Sequence, residues 1–228
     1  MQITRYAIYW LPPQDSPLAR FGAQWLGWDL NNGRPQPAPA LPLPAHDLSA
    51  SARKYGFHAT LKAPFRLAPN TTAEALTERL REICAGIARF DLPGGLRLTD
   101  LAGFLALTPQ QDSIALNMLQ QRLAEDLDPF CAPLTEADLA RRTPDRLPPR
   151  QRELLMQWGY PFTHDQFRFH LTLTGPVPQP QRDHTRAILV QHLAPLLPDL
   201  QPITEIALVA EGSDGLFRHL LRVPLGAG

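Results

Sequence analysis

The frame aromatic-x-aromatic-His-x-Thr-Leu occurs twice in 228 residues, as Tyr55-Gly-Phe-His-Ala-Thr-Leu61 and as Phe167-Arg-Phe-His-Leu-Thr-Leu173. Seven histidines in the chain make one His-x-Thr match unremarkable, but not two copies of the whole frame. Apolar residues recurring with period two mark a strand, in which side chains two apart share a face. Phe57, Ala59 and Leu61 form one apolar set and Phe169, Leu171 and Leu173 the other, so these face a core. His58, Thr60 and Lys62 then share the opposite face of the first strand, and Arg168, His170, Thr172 and Thr174 that of the second. Each strand presents an imidazole, a hydroxyl and a cation. The same parity sends Tyr55 and Phe167 toward the core.

The elements around the two frames also repeat in order. A strand over 5–11 is followed by a helix from Ser16-Pro17 to about Trp28 and by an irregular stretch holding Pro35, Pro37, Pro39, Pro42 and Pro44. Those prolines exclude a central strand and suit a loop that is either a lid or a spacer. After the first frame come a helix capped by Thr71 or Thr72, running to about Ala88, and a strand over 96–107. A turn at 108–112 leads to a strand over 113–118 and a helix over 119–128. Two short helical pieces form an insertion over 131–160, ahead of the second frame. A helix over 182–196 and strands over 203–210 and 216–223 close the chain. The expectation is an α+β, bilobal fold with pseudo-two-fold symmetry, an antiparallel sheet in each lobe with helices on its outer face, and a cleft between the lobes. Lobe one spans about 1–112 and lobe two about 113–228.

Net charge limits the partners. Twenty-two basic and 22 acidic residues sum to zero, so no global field gathers nucleic acid or an anionic membrane, and any anion must be held locally. The arginine clusters at 141–142 and 150–152 are expected to be solvated. No run approaches the roughly 18 apolar residues of a membrane span, and Cys84 and Cys131 lack metal-site spacing. Those features suggest a reducing, cytoplasmic compartment.

Two imidazoles facing each other across a cleft form an acid–base pair. In-line cleavage of a phosphodiester needs a base for the incoming oxygen and an acid for the leaving one. Histidine serves either role near neutral pH. Thr60 and Thr172, with Lys62, Arg168 and Thr174, can hold the phosphoryl oxygens. Neither frame carries a carboxylate or second histidine at metal-ligand spacing. Gly56-Phe-His-Ala-Thr-Leu-Lys62 with Phe169-His-Leu-Thr-Leu173 resembles the two-histidine (2H) phosphoesterase superfamily, LigT-like. Arg5-Tyr-Ala-Ile-Tyr9 and Phe167–Gly175 resemble its branch named for phosphonate metabolism. The resemblance implies a bilobal α+β fold and His58, Thr60, His170 and Thr172 as the catalytic set. It also implies no cofactor or metal, and a small phosphorylated substrate such as a ribosyl cyclic phosphate. An RNA 2′,5′-ligase or RNA-end phosphodiesterase, and a non-catalytic sugar-phosphate binding module, are the alternatives; the neutral chain argues against long RNA.

Overall fold

Side-chain oxygens start three of the long helices. Ser16 accepts from the Ala19 amide at the head of α1 (Pro17–Leu26), Thr72 from Ala75 at α4 (Ala73–Ala85), and Ser113 from Leu116 at α5 (Ile114–Asp126). Each satisfies a donor that a helix N-terminus leaves unpaired. Between α1 and α4 lie the single-turn α2 (Ala45–Leu48) and α3 (Ala50–Arg53); α6 (Glu136–Arg142), α7 (Pro149–Trp158) and α8 (Gln179–Leu193) follow α5. The structure, a computed structural model, describes residues 2–142 and 144–226.

Seven strands form one sheet, antiparallel at every pairing: β1 (Ile3–Trp10), β4 (Ala59–Phe65), β6 (Leu96–Leu101), β7 (Phe104–Pro109), β8 (Leu171–Thr172), β10 (Glu205–Gly212) and β11 (Phe217–Pro224). Their order is β11-β10-β1-β4-β8-β7-β6. Two small pairs stand apart, β2 (Trp28–Asp29) with β3 (Arg34–Pro35), and β5 (Phe90–Pro93) with β9 (Leu200–Ile203). The expected α+β class with an antiparallel sheet is what the chain adopts. The strands that carry the histidines lie side by side at the middle, joined through the single pair Ala59↔Leu171.

The sheet does not divide at residue 112. β10 and β11, from the second half of the chain, pair with β1, while β6 and β7, from the first half, pair with β8. Each half of the sheet is completed by the other half of the chain.

One face of the sheet meets the helices. Ile8, Ala59, Leu61, Leu107, Leu171 and Leu173 are buried in one core with Trp25 of α1, Leu80 of α4, Leu119 of α5 and Leu189 of α8. Burying side chains of this size contributes about 1.5–3 kcal/mol each. A smaller cluster on the other face joins Ala7 and Tyr9 of β1 to Val209 and Phe217, with Trp28 and Leu30. The proline-rich stretch packs Leu41 and Leu43 on the main core.

Residues 114–118 are helix, with Ser113 as its cap, rather than strand. Alternation there requires Ile114 and Met118 to face a core, but they are 78% and 66% exposed. The buried stripe is Leu116, Leu119 and Leu123, at helical spacing. The hairpin turn falls earlier, at Ala102-Gly103, where both residues have positive φ (51° and 107°), as a two-residue connection between twisted strands needs. The second frame is strand only at Leu171–Thr172, because the Leu173 and Thr174 amides both turn to the Leu105 carbonyl and Gly175 to that of Leu48.

Trp25 ties the helical layer to that short strand. Its indole is fully buried and donates to the Leu173 carbonyl at 2.6 Å. Trp25→Phe keeps most of the ring and leaves that carbonyl without its donor. The expected cost is about 1–3 kcal/mol of unfolding free energy, read from the midpoint of urea denaturation at unchanged slope.

Candidate active site

The register of the central pair sets the site. With Ala59 opposite Leu171 and both side chains in the core, one further residue either way sets His58 opposite Thr172 and Thr60 opposite His170, all four on the other face. Directly opposed positions in an antiparallel pair lie about 4.5–5.5 Å apart and diagonal ones about 7–8 Å. The two histidines form a diagonal of this pairing.

Both rings are held in the same way. His58 Nδ1 is 2.9 Å from the Gly56 carbonyl and His170 Nδ1 is 2.7 Å from the Arg168 carbonyl, each two residues upstream. A carbonyl only accepts, so both Nδ1 atoms carry hydrogen, and in the neutral ring Nε2 is left with its lone pair. The Thr60 hydroxyl, 3.0 Å from His58 Nε2, donates to it.

The surroundings of the two rings differ. His58 stacks on Tyr9 at a centroid distance of 3.7 Å with planes 23° apart, and Tyr55 lies at 6.2 Å. Burial pushes the His58 pKa down to about 4; the Gly56 hydrogen bond opposes the shift, and nearby His170 adds to it. His170 has Phe104 at 5.9 Å. Its pKa is also lowered by burial, against the hydrogen bond to Arg168.

The remaining expected site residues separate. Thr172 is half-buried beside His170 and Arg168 is exposed, reaching the site through its carbonyl. Thr174 belongs to the scaffold: its hydroxyl is buried and accepts from the Leu105 amide at 2.9 Å. Lys62 is buried and turns Nζ to the Ala124 carbonyl at 2.8 Å. It lines a cavity of about 410 Å³, bounded also by Arg5, Arg142, Trp158 and Tyr160. The insertion thus supplies one wall, and Arg142, expected to be solvated, instead donates to the Gly159 carbonyl there. Arg150 is exposed and paired with Glu153 and Asp165.

Tyr9 and Gly56 were not singled out as site residues from the sequence. Parity along β1, which places Arg5, Ala7 and Tyr9 on one face, is the signal that finds Tyr9. Tyr55, expected in the main core, packs instead with Tyr9 and Phe217 on the histidine side, because the strand begins only at Ala59 and Gly56 has φ +73°. Among the described residues no three His, Cys, Asp or Glu side chains are grouped so as to hold a metal ion, and no helix is long and apolar enough to cross a membrane.

A family model described as "Protein of unknown function (DUF1045)" matches residues 60–218. The chain belongs to the DUF1045 family. Among curated relatives, a protein of Janthinobacterium sp. (strain Marseille) named ribose 1,5-bisphosphate phosphokinase PhnN is 41% identical over 178 residues, 75% of this chain and 39% of the relative. A protein of the same name from Laribacter hongkongensis (strain HLHK9) is 34% identical over 220 residues, 96% of this chain and 51% of the relative. The DUF1045 chain therefore spans about half or less of the length of these relatives. Among solved structures, E. coli LigT in complex with NADP+ aligns over 99% of both chains at 15% identity and TM-score 0.44, and a structure titled phosphoesterase over 99% of both at 17% and 0.42.

Gly56 fixes the carbonyl that orients His58. A Cβ there would lie 2.5 Å from Leu30 Cβ, on a backbone at positive φ. Gly56→Ala is expected to cost at least about 2 kcal/mol, from backbone strain together with overpacking. It should also loosen the Nδ1 hydrogen bond, seen as a change in the His58 imidazole ¹⁵N shifts. Unchanged shifts and stability would contradict this role.

Proposed function

We propose that this DUF1045 chain is a metal-independent phosphodiesterase that opens a small cyclic phosphodiester, with His58 as general base and His170 as general acid. The observation that carries the reading is the diagonal of two Nδ1-anchored imidazoles on adjacent strands, each opposite a threonine of the other frame. A group between them is flanked by two Nε2 atoms.

The steps balance without a further reactant. His58 Nε2 takes a proton from water as its oxygen attacks phosphorus. The P–O bond on the far side breaks, and the leaving oxygen takes the proton carried by His170 Nε2. The product is a phosphomonoester, and proton exchange with solvent resets the pair. His58 suits the base because the Tyr9 stack and burial keep it neutral. Thr172 donates to the phosphoryl oxygens, and Thr60 does so when its one hydroxyl hydrogen turns from His58 Nε2 to the substrate, which also frees Nε2 for the water proton. Positioned proton transfer typically contributes about 10²–10⁴ in rate.

For the substrate, the name of the two relatives points to a ribose bearing phosphates at positions 1 and 5. Opening a 1,2-cyclic phosphate on ribose 5-phosphate would produce such a compound, in keeping with the place in phosphonate breakdown that the motif resemblance implies. The 228 residues contain no Gly-x-x-x-x-Gly-Lys-Ser/Thr segment of the kind that cradles nucleotide phosphates, which supports ester cleavage rather than phosphorylation as this chain's own chemistry.

His58→Ala and His170→Ala should each lower kcat on a ribosyl cyclic phosphate by at least about 10², while a chelator leaves the wild type unchanged. Equal turnover by all three proteins, or loss of wild-type turnover with the chelator, would overturn the mechanism.

The pH dependence follows from the two shifts. His58 is competent when unprotonated, above about 4, and His170 when protonated, below a pKa that burial has lowered from 6.5. The profile of kcat/KM should be a bell with its maximum between those limits, falling on the acid side as His58 gains a proton and on the alkaline side as His170 loses one. An optimum above pH 7.5 would refute the assignment.

A further inference from the structure

The cavity beside Lys62 is not needed by the two-histidine chemistry. β4 slips register between Thr60, opposite Tyr9, and Lys62, opposite Ile8 of the helix-side core, so Lys62 turns to α5, where Nζ meets the Ala124 carbonyl. The cavity reaches the histidine side through Arg5 and Tyr160, both close enough to Tyr9, the ring stacked on His58, to act on its phenol. At about 410 Å³ it is in the size range of small-molecule sites.

Its charge is unbalanced at one point. Lys62 is 7% exposed, and its ammonium contacts the Ala124 carbonyl, the Cys131 thiol and the face of Phe65. Among the described residues it forms no ion pair. A buried charge is normally compensated by an opposite one. Of the two carboxylates on the cavity wall, Asp138 is taken by Arg66 and the Thr135 amide, and Asp128 forms no ion pair with Lys62. Arg5, also on the wall, gives Nε and Nη2 to Glu211, and among the described residues its Nη1 has no hydrogen-bond partner. The Tyr160 phenol, held protonated by burial with its pKa pushed up to about 12, is a further donor on the wall.

We propose that this cavity is a second anion subsite, which takes a phosphomonoester borne by the substrate a few bonds from the ester that is cleaved, with Lys62 as its counter-ion and Arg5 and Tyr160 as further donors. The proposal rests on the phosphodiesterase reading and deepens it by assigning the terminal phosphate of such a substrate its own binding site.

The test compares ribose 1,2-cyclic phosphate with and without a 5-phosphate, and needs no variant for its first result. The wild type should prefer the 5-phosphorylated compound by about 100-fold or more in kcat/KM; a preference below about threefold overturns the subsite. Lys62→Met should erase most of that preference and Lys62→Arg restore part of it, with melting temperatures checked for both. Ribose 5-phosphate, which holds no diester, should bind wild type and His58→Ala alike by calorimetry and bind Lys62→Met at least about tenfold more weakly. Equal binding by Lys62→Met refutes the subsite. Turnover of both cyclic compounds without preference would leave the phosphodiesterase and remove the subsite. Lysine-dependent binding without turnover would leave the subsite and remove the phosphodiesterase.

Discussion

The pairing of Ala59 with Leu171 is the constraint on which the rest of the site depends. One register pair at the middle of the sheet decides that two histidines more than a hundred residues apart become diagonal neighbours on a common face. A slip of one residue in either strand would turn the imidazoles into the core and the leucines outward. So short a pairing cannot fix register by ladder bonds alone. Packing of Leu61, Leu171 and Leu173 against the helices fixes it, together with the Trp25 indole on the Leu173 carbonyl.

Orientation comes from the backbone rather than from an acidic partner. In many histidine sites a carboxylate fixes the tautomer; in this chain a carbonyl two residues upstream does so at both positions. Burial lowers both pKa values, and the carbonyl hydrogen bond, which favours the cation but adds no charge as a carboxylate would, does not offset it. Local geometry and working pH are thus linked through one choice of hydrogen-bond acceptor.

Parity along the two frames was enough to read His58, Thr60, His170 and Thr172 onto one surface, because a half-buried strand writes its faces into alternate residues. It also placed Thr174 and Lys62 on that side, but parity gives only a direction. The Thr174 hydroxyl is taken up by the Leu105 amide, and Lys62 lies in a neighbouring cavity. These depend on partners distant in sequence, which no local pattern encodes. Residues 113–118 misled for a related reason: their alternation fits a strand until the exposure of Ile114 and Met118 shows which residues are buried. Of the repeat of element order, a His-x-Thr strand followed by a helix and further strands holds in both halves, but the opening strand of the second is helix; the exchange of strands between halves was not legible either, since order along the chain does not specify which neighbour a strand adopts.

That exchange governs how the protein can be made. β1 is translated well before one of its two neighbours, β10, and β6–β7 must wait for β8. A stretch containing β1 and β4 alone leaves an open strand edge in a nascent chain, where unpaired edges invite association. The β1 side of the sheet cannot close before β10 has left the ribosome, nor the β7 side before β8. The proton-transfer pair is therefore assembled late and all at once, and a prematurely terminated chain would carry His58 without the geometry that gives it a partner.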